Sequence, residues 1–122
     1  MIVYERAVRF QEVDAARIVF FGRFLDWAHE AMEHFFSALD GGYSRLILER
    51  GVGVPAVHVE MRFTSPARYG DVLAIETSTK KLGTRSAVLL YVFKQKQSGA
   101  VVAEVEHTVV TTSLAEMRST DM

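Results

Sequence analysis

The sequence contains no cysteine among its 122 residues. This absence excludes a disulfide framework, a thiolate zinc site, an iron–sulfur cluster and a cysteine nucleophile. The longest strongly apolar run extends from Ala87 to Phe93, far short of the ~20 residues that a membrane-spanning helix needs. Apolar residues make up 49% of the chain. We therefore expect one domain over residues 1–122 that buries a core without covalent staples.

Charges of the two signs nearly cancel in the total but are uneven along the chain. The formal net charge is −1, which argues against a general nucleic-acid-binding protein. Residues 61–97 carry a net charge of +5, whereas the segments on either side carry −3 each. This basic middle would suit a phosphorylated ligand such as a coenzyme, although solvated strand faces explain it equally well. The N-terminus has no basic and apolar leader pattern, so a cytoplasmic location is expected.

The hydropathy pattern predicts one strand followed by one long helix. Residues 2–10 alternate like a half-buried strand, and residues 11–20 fit neither period and are interpreted as a loop. From Phe21 to Leu39 the apolar residues recur at helical spacing, and Gly41-Gly42 supplies a stop. A short second helical piece is predicted over residues 43–50. The wide aromatic stripe of the long helix must pack against a large apolar surface.

Four further strands are predicted in the second half of the chain. They cover residues 57–64, 72–81 and 86–97 and a last segment that starts near Val101, with residues 113–122 as a frayed tail. Short turns between strands favour antiparallel neighbours. The predicted fold is α+β, with an antiparallel five-stranded sheet wrapped around one long central helix. The mean hydropathy of +0.11 suggests that apolar surface is hidden between copies of the chain.

Asp14 has the most unusual setting among the candidate reactive groups. It lies between apolar residues in the predicted loop, seven residues before the start of the long helix. Unpaired backbone N–H groups at a helix N-terminus can stabilise negative charge that develops on a carbonyl oxygen. A carboxylate beside them could attack that carbonyl or activate a water molecule. On the residues alone, a turn aspartate that bonds to the local backbone is the favoured interpretation.

Two motifs and one shorter segment stand out in the sequence. The first motif is Phe10-Gln-Glu-Val-Asp14-Ala-Ala-Arg-Ile-Val-Phe-Phe21, followed by Phe24 and Trp27. The second is Ser65-Pro66-Ala67-Arg68-Tyr69-Gly70-Asp71, and the shorter segment is Lys81-Leu82-Gly83-Thr84-Arg85-Ser86. Both motifs, and more weakly the segment, resemble those of hotdog-fold thioesterases, most closely the 4-hydroxybenzoyl-CoA thioesterase branch. The resemblance covers about residues 3–113.

The resemblance implies an acyl-CoA thioesterase that releases a carboxylic acid and free CoA. Asp14 would be the nucleophile or general base, and the backbone N–H of Phe21 would polarise the thioester carbonyl. Coenzyme A would belong to the substrate, with no other cofactor and no metal, and the site would form in a homodimer or homotetramer. The substrate pocket is predicted to include Arg17, Phe20, Phe24 and His29. The predicted CoA-binding residues are Arg85, Lys80 and Lys81.

The chain departs from the family pattern at several of these positions. Arg17 stands where the family often has glycine, and Phe21 stands where a related subfamily has histidine. His29 replaces an acid that reads the ring hydroxyl of 4-hydroxybenzoyl substrates. Gly83-Thr84 replaces an adjacent arginine pair at the CoA hairpin.

Alternative functions stay open on the sequence. His29 could instead form a surface pair with Glu33 at helical spacing. The substrate could be an acyl carrier protein thioester rather than an acyl-CoA. The dehydratase spacing of aspartate and histidine is missing, because Val19 lies five residues beyond Asp14. A non-catalytic acyl- or CoA-binding module is the rival from another class, with a structural oligomerisation domain as a weaker option.

Overall fold

The structure is a computed structural model, and it describes residues 1–37, 51–113 and 118–119. A short 3-10 helix, Phe10–Glu12, lies between the first strand and the one long helix. In chain order the main elements are β1 Ile2–Ala7, α1 Gly22–Phe36, β2 Val52–Gly53, β3 Ala56–Phe63, β4 Val72–Leu82, β5 Ser86–Gln95, β6 Val101–Val110, β7 Thr112–Ser113 and β8 Arg118–Ser119.

Five strands form one antiparallel sheet in the order β1-β4-β5-β6-β3. The predicted α+β architecture, a five-stranded antiparallel sheet with one long helix, is therefore confirmed. The expectation that consecutive strands are neighbours is wrong for β3 and β4. The chain after Phe63 crosses the sheet, so β3 becomes an edge strand paired with β6 alone. A small sheet of order β2-β7-β8 was not predicted, because its two-residue strands are too short to show a hydropathy period.

Helix α1 packs against the concave face of the sheet through five buried side chains. They are Phe24, Trp27, Ala28, Ala31 and Met32. Phe21 and Leu25, which the helical period places on the apolar stripe, are 67% and 44% exposed. The described part of the helix ends at Phe36, and the predicted extension to Leu39, the Gly41-Gly42 stop and the helical piece at residues 43–50 lie outside the described residues.

The central strands supply the other half of the core by simple alternation. On β5, Ala87, Leu89, Tyr91 and Phe93 are buried and point toward the helix, while the residues between them lie on the outer face. The same alternation buries Leu73, Ile75 and Thr77 on β4. Edge strand β3 differs, because nearly every side chain along it is exposed.

The end of β1 corrects the predicted strand boundary. The strand stops at Ala7, and Phe10 belongs to the 3-10 helix, where its ring is 73% exposed. Arg6 points inward rather than to solvent. Its side chain lies between the sheet and α1, where it bonds to carboxylates on both sides. Within the described ranges, no helix combines the length and apolar character needed to cross a bilayer.

Candidate active site

The loop between β1 and α1 folds onto the segment that follows β3. Val13 and Val19 form an isolated antiparallel bridge within the loop, and Ile18 forms another with Arg68. The N–H of Val19 donates to the carbonyl of Ala67 at 2.8 Å. The two motifs singled out in the sequence, residues 10–21 and 65–71, are therefore in direct contact. They form one end of the molecule.

Arg17 occupies a left-handed backbone conformation at the tip of this loop. Its φ of 67° is the one positive value for a non-glycine residue in the described chain. Side chains with a Cβ adopt this conformation at a cost, and glycine does not. The turn is closed by the Arg17 N–H, which donates to the carbonyl of Asp14 at 2.9 Å. This geometry explains why a glycine suits the position in the family that the sequence resembles.

Asp14 combines a structural contact with an exposed carboxylate. Its Oδ1 accepts a hydrogen bond from the N–H of Ala16 at 2.8 Å. Asp14 therefore bonds to the local backbone, as the turn-aspartate interpretation expects. Its Oδ2 has no hydrogen-bond partner among the described residues. The side chain is exposed and lines a cavity beside the helix. One oxygen is therefore available for chemistry while the other holds the turn.

The start of α1 supplies a hydrogen-bond donor to the same cavity. Phe21 is the N-cap residue of the helix, with no side-chain cap. Its N–H has no hydrogen-bond partner in the described part of the chain. Unpaired N–H groups and the positive end of the helix dipole meet at this point. The N–H predicted to polarise a carbonyl is thus free to do so.

The cavity shared by Asp14 and Phe21 has a volume of about 420 Å³. Aromatic rings form much of its wall. Its lining also includes the backbone turn after β3, and the aromatic members are Phe20, Phe21, Phe24 and Phe63. The ring of Phe24 packs edge-on against that of Phe63, with a centroid distance of 5.3 Å. The guanidinium of Arg23 lies 5.3 Å from the ring of Phe20. An apolar cavity with one carboxylate and one free N–H suits a neutral, flat acyl group.

The other two predicted pocket residues do not line this cavity. Arg17 is exposed, and in the described structure no ion pair joins it to Asp14. His29 lines a separate cavity of about 180 Å³ between α1 and β3, together with Val59 and His107. The Nε2 of His29 also lies 3.9 Å from a carboxylate oxygen of Glu33. The surface pair with Glu33 is therefore present, and the cavity that His29 lines is not the one beside Asp14.

His107 faces the helix from β6, and it was not among the predicted site residues. Its Nδ1 lies 3.0 Å from the hydroxyl of Tyr91. Burial, and to a smaller degree the charge of His29, lower the pKa of His107 below its ordinary value of 6.5. The residue pairing of β6 with β5 would have revealed this contact, but a single sequence does not fix that register.

The predicted CoA-binding residues lie at the opposite end of the sheet from Asp14. The Asp14 loop follows Ala7, which pairs with Val72 at the start of β4, whereas Arg85 lies in the turn after the far end of β4. Ten residue steps of about 3.3 Å separate the two ends of this strand, or roughly 33 Å. Lys80 forms an ion pair with Glu106 on the outer face, and Lys81 is exposed near the same end.

Arg68 is the cation that the fold places beside the Asp14 loop, and the sequence analysis assigned it no role. It is exposed and pairs with Ile18, a residue of the cavity wall. Arg68 itself is not among the residues that line the cavity. The signal in the sequence was its place within the second motif.

Comparison with known proteins gives the family of the chain. A sequence model of the thioesterase-like superfamily matches residues 8–122. The chain belongs to this superfamily. Among curated members, the 1,4-dihydroxy-2-naphthoyl-CoA hydrolase of Prochlorococcus marinus (strain MIT 9211) is 31% identical over 113 residues, which cover 87% of this chain and 75% of the relative. The enzyme of the same name from Synechocystis is 28% identical and covers 94% and 83%.

Solved structures of thioesterases agree with this assignment. A gentisyl-coenzyme A thioesterase superposes with a TM-score of 0.86 at 28% identity, covering 98% of this chain and 94% of its own. The 1,4-dihydroxy-2-naphthoyl-CoA thioesterase from Synechocystis gives a TM-score of 0.87 at 27% identity, covering 98% and 88%. The predictions of a hotdog-fold thioesterase and of a thioester hydrolase are confirmed.

Proposed function

We propose that this thioesterase hydrolyses CoA thioesters of aromatic acids at the cavity that Asp14 and Phe21 share. The observation that carries the proposal is the arrangement of that cavity. Asp14, which has an unpaired carboxylate oxygen, and Phe21, which has an unpaired N–H at the helix N-terminus, line one cavity of about 420 Å³. Acyl transfer needs both groups, a nucleophile or base and a donor for the developing oxyanion.

In the proposed reaction the thioester carbonyl accepts a hydrogen bond from the Phe21 N–H, and the helix dipole stabilises the negative charge as it develops. Either the Asp14 carboxylate attacks the carbonyl carbon or it removes a proton from a water molecule that does so. In the first case the C–S bond breaks as an anhydride forms on Asp14, CoA leaves as the thiolate, and water then hydrolyses the anhydride to the acid and the free Asp14 carboxylate. In the second case the C–S bond breaks after water adds to the carbonyl, and the proton taken up by Asp14 passes to the departing thiolate. The route uses no metal and no cofactor beyond the CoA of the substrate.

Aromatic acyl groups are proposed because of the cavity walls and the relatives. Phe20, Phe24 and Phe63 offer ring faces and edges to a flat acyl group. The relatives are named for 1,4-dihydroxy-2-naphthoyl-CoA and gentisyl-CoA, whose acyl groups are hydroxylated aromatics. His29 lies eight residues along the helix from Phe21, or about 12 Å. Only an acyl group that extends well along the helix would reach it.

A homodimer is proposed because edge strand β3 offers an unpaired side with apolar residues. Val57, Val59 and Phe63 are 59%, 41% and 46% exposed, and such edges act as templates for pairing with another chain. Antiparallel pairing of β3 with the β3 of a second copy would place the far end of that copy's sheet beside Asp14. The tetramer remains a further proposal of the same kind.

This dimer would bring the predicted CoA-binding residues to the site. Because β5 is separated from β3 by β6 alone, the hairpin that carries Arg85 in the second copy would lie about three strand spacings, or ~14 Å, from this chain's β3. We propose that Arg85, with Lys80 and Lys81, meets the CoA phosphates from the second copy. Arg68 would meet them from the chain that supplies Asp14.

The test is thiol release from a panel of aromatic and aliphatic acyl-CoAs and acyl carrier protein thioesters. We expect wild type to prefer aromatic acyl-CoAs, and Asp14→Ala to lose about 10²–10⁴-fold in rate. Asp26→Ala, which removes an exposed carboxylate from the second turn of α1, is the matched control and should keep wild-type activity. Equal rates for Asp14→Ala and wild type would refute the role of Asp14. Turnover of acyl carrier protein thioesters alone would refute the CoA substrate.

A further inference from the structure

Glu12 is the one acidic side chain that is fully buried in the described structure, with 4% of its surface exposed. Four donors surround its carboxylate. Oε1 accepts from Nη1 of Arg6 at 2.8 Å and from the N–H of Arg9 at 2.8 Å. Oε2 accepts from Nη2 of Arg6 at 2.6 Å and from the indole N–H of Trp27 at 3.0 Å. Each of the two carboxylate oxygens thus accepts two hydrogen bonds.

The same cluster connects three elements of the fold. Arg6 lies on β1, and its Nε donates to Glu30 of α1 at 3.1 Å. The hydroxyl of Tyr4 donates to the same Glu30 oxygen at 2.8 Å. The guanidinium of Arg6 also lies 5.4 Å from the ring of Trp27. Glu12, at the end of the 3-10 helix, is therefore bound to the first strand and to the middle of the helix at once.

The charges of the cluster are held in their ionised forms. Burial by itself would raise the pKa of Glu12, but the hydrogen bonds from Arg6, Arg9 and Trp27 outweigh it and keep that pKa below the usual 4.5. Burial would likewise lower the pKa of Arg6, and its bonds to Glu12 and Glu30 raise it instead. Both residues therefore stay ionised at neutral pH. A buried ion pair of this kind contributes little net stability compared with a well-packed apolar pair.

The position of the cluster in the chain indicates what it does. Glu12 lies two residues before Asp14, and its bonds fix the N-terminal side of the loop. The C-terminal side is fixed by the bond from Val19 to Ala67 and by the bridge between Val13 and Val19. The Asp14 carboxylate itself makes one local bond, to the N–H of Ala16. The place of Asp14 relative to the helix N-terminus therefore depends on these two anchors.

We propose that Glu12 is a positioning residue, which fixes the loop so that the Asp14 carboxylate stays aligned with the Phe21 N–H. The proposal rests on the proposed function, because it gives Glu12 a role only if Asp14 performs the reaction. Trp27 and Arg6 are the groups through which it acts. Small displacements of a reacting group cost large factors in rate, so a buried network outside the cavity can control kcat.

The test begins with Glu12→Gln, which keeps the shape of the side chain but puts an amide N–H₂ among donors. We expect kcat to fall about 10- to 100-fold and KM to change less than about threefold. Trp27→Phe removes the indole N–H together with part of the buried ring, and it should lower kcat by a few-fold. This second variant serves if Glu12→Gln does not fold. Val109→Ala, a core truncation at the opposite end of the sheet, is the control. It should lower the thermal midpoint without changing kcat.

A kinetic double-mutant cycle with Asp14→Asn separates positioning from a general structural effect. In the Asp14→Asn background, Glu12→Gln should change the residual rate by less than about twofold, because there is no carboxylate left to position. A further loss of the same size as in wild type would overturn the proposal. If Asp14→Asn itself kept full activity, the proposed function would fail instead. If Asp14→Asn were inactive and Glu12→Gln kept wild-type kcat, the positioning role alone would fail.

Amide hydrogen exchange gives a readout that needs no substrate. The N–H groups of Asp14 and Val19 should exchange faster in Glu12→Gln than in wild type and than in Val109→Ala, whereas those of Tyr91 and Phe93 in the central strand report the loss of global stability in both variants. Loop exchange that stays at the wild-type rate in a variant with reduced kcat would show that Glu12 does not act through the loop, and would overturn the proposal.

Discussion

A mixing experiment between two inactive or impaired variants tests whether the active site is shared between two chains. One variant carries Asp14→Asn, and the other carries Arg85→Gln. In one chain these residues lie at opposite ends of the sheet, which are about 33 Å apart along β4. In the proposed dimer each site would take Asp14 from one copy and Arg85 from the other. A mixed dimer would then have one doubly defective site and one intact site.

The size of the expected signal follows from dimer statistics. Loss of one charge-assisted phosphate contact should reduce kcat/KM about tenfold, and loss of the Asp14 carboxylate should abolish most of it. Equal mixing gives mixed dimers for about half of the population, each with one intact site of two. The mixture should then show about 28% of wild-type kcat/KM. If both residues served a site within one chain, the same mixture should show about 5%.

The assay mixes the two purified variants, lets the subunits exchange, and follows thiol release at substrate concentrations below KM. Each variant incubated alone is the control. A reference mixture pairs Asp14→Asn with Lys96→Gln, which removes an exposed lysine paired with Glu5. It gives the activity expected when the partner chain has no defect in the site. Activity that stays near 5% after verified exchange would refute the shared site, and it would remove Arg85 from the proposed CoA contacts.

Two further predictions concern the Asp14 loop and its anchor. Arg17→Gly should raise the free energy of unfolding by up to about 1 kcal/mol, because relief of the left-handed strain exceeds the entropy cost of glycine; a urea titration that finds the variant less stable would contradict this. Glu12→Gln should lower the free energy of unfolding by about 3 kcal/mol at neutral pH. Because the pKa of Glu12 is lowered in the folded state, its contribution is present above about pH 4.5 and is lost as the pH falls below it. Urea titrations from pH 3 to 7 should therefore show the two proteins converging in acid, and a gap that persists there would contradict the linkage.

The architecture was predictable because local patterns determine it. Alternation along the strands and the aromatic period of the helix are properties of neighbouring residues, and they identified the elements of the main sheet. The position of β3 at the edge was not predictable in the same way. The chain crosses the sheet after Phe63, so β3 pairs with β6 rather than with β4. This pairing joins strands that are distant in the sequence, and the length of the turns does not predict it.

In the candidate site, too, residues close together in the sequence were predictable, and contacts between distant residues were not. Asp14, Phe21, Phe20 and Phe24 belong to one motif, and they line one cavity. The predicted CoA-binding residues Arg85, Lys80 and Lys81 lie together at one end of the sheet, far from Asp14 of the same chain, and the net charge of a segment carries no information about that separation. The role of Glu12 was hidden because its partners, Arg6 and Trp27, are separated along the sequence and meet only in the folded chain.

The hydrogen bond between Trp27 and Glu12 has a practical consequence. Trp27 is the sole tryptophan in the chain, it is fully buried, and its indole nitrogen is bonded to a carboxylate two residues from Asp14. The tryptophan fluorescence of the protein, excited selectively over its tyrosines, therefore originates from one ring beside the reactive loop. A shift in emission wavelength or lifetime reports directly on that loop, so ligand binding and loop opening can be followed in the unlabelled protein.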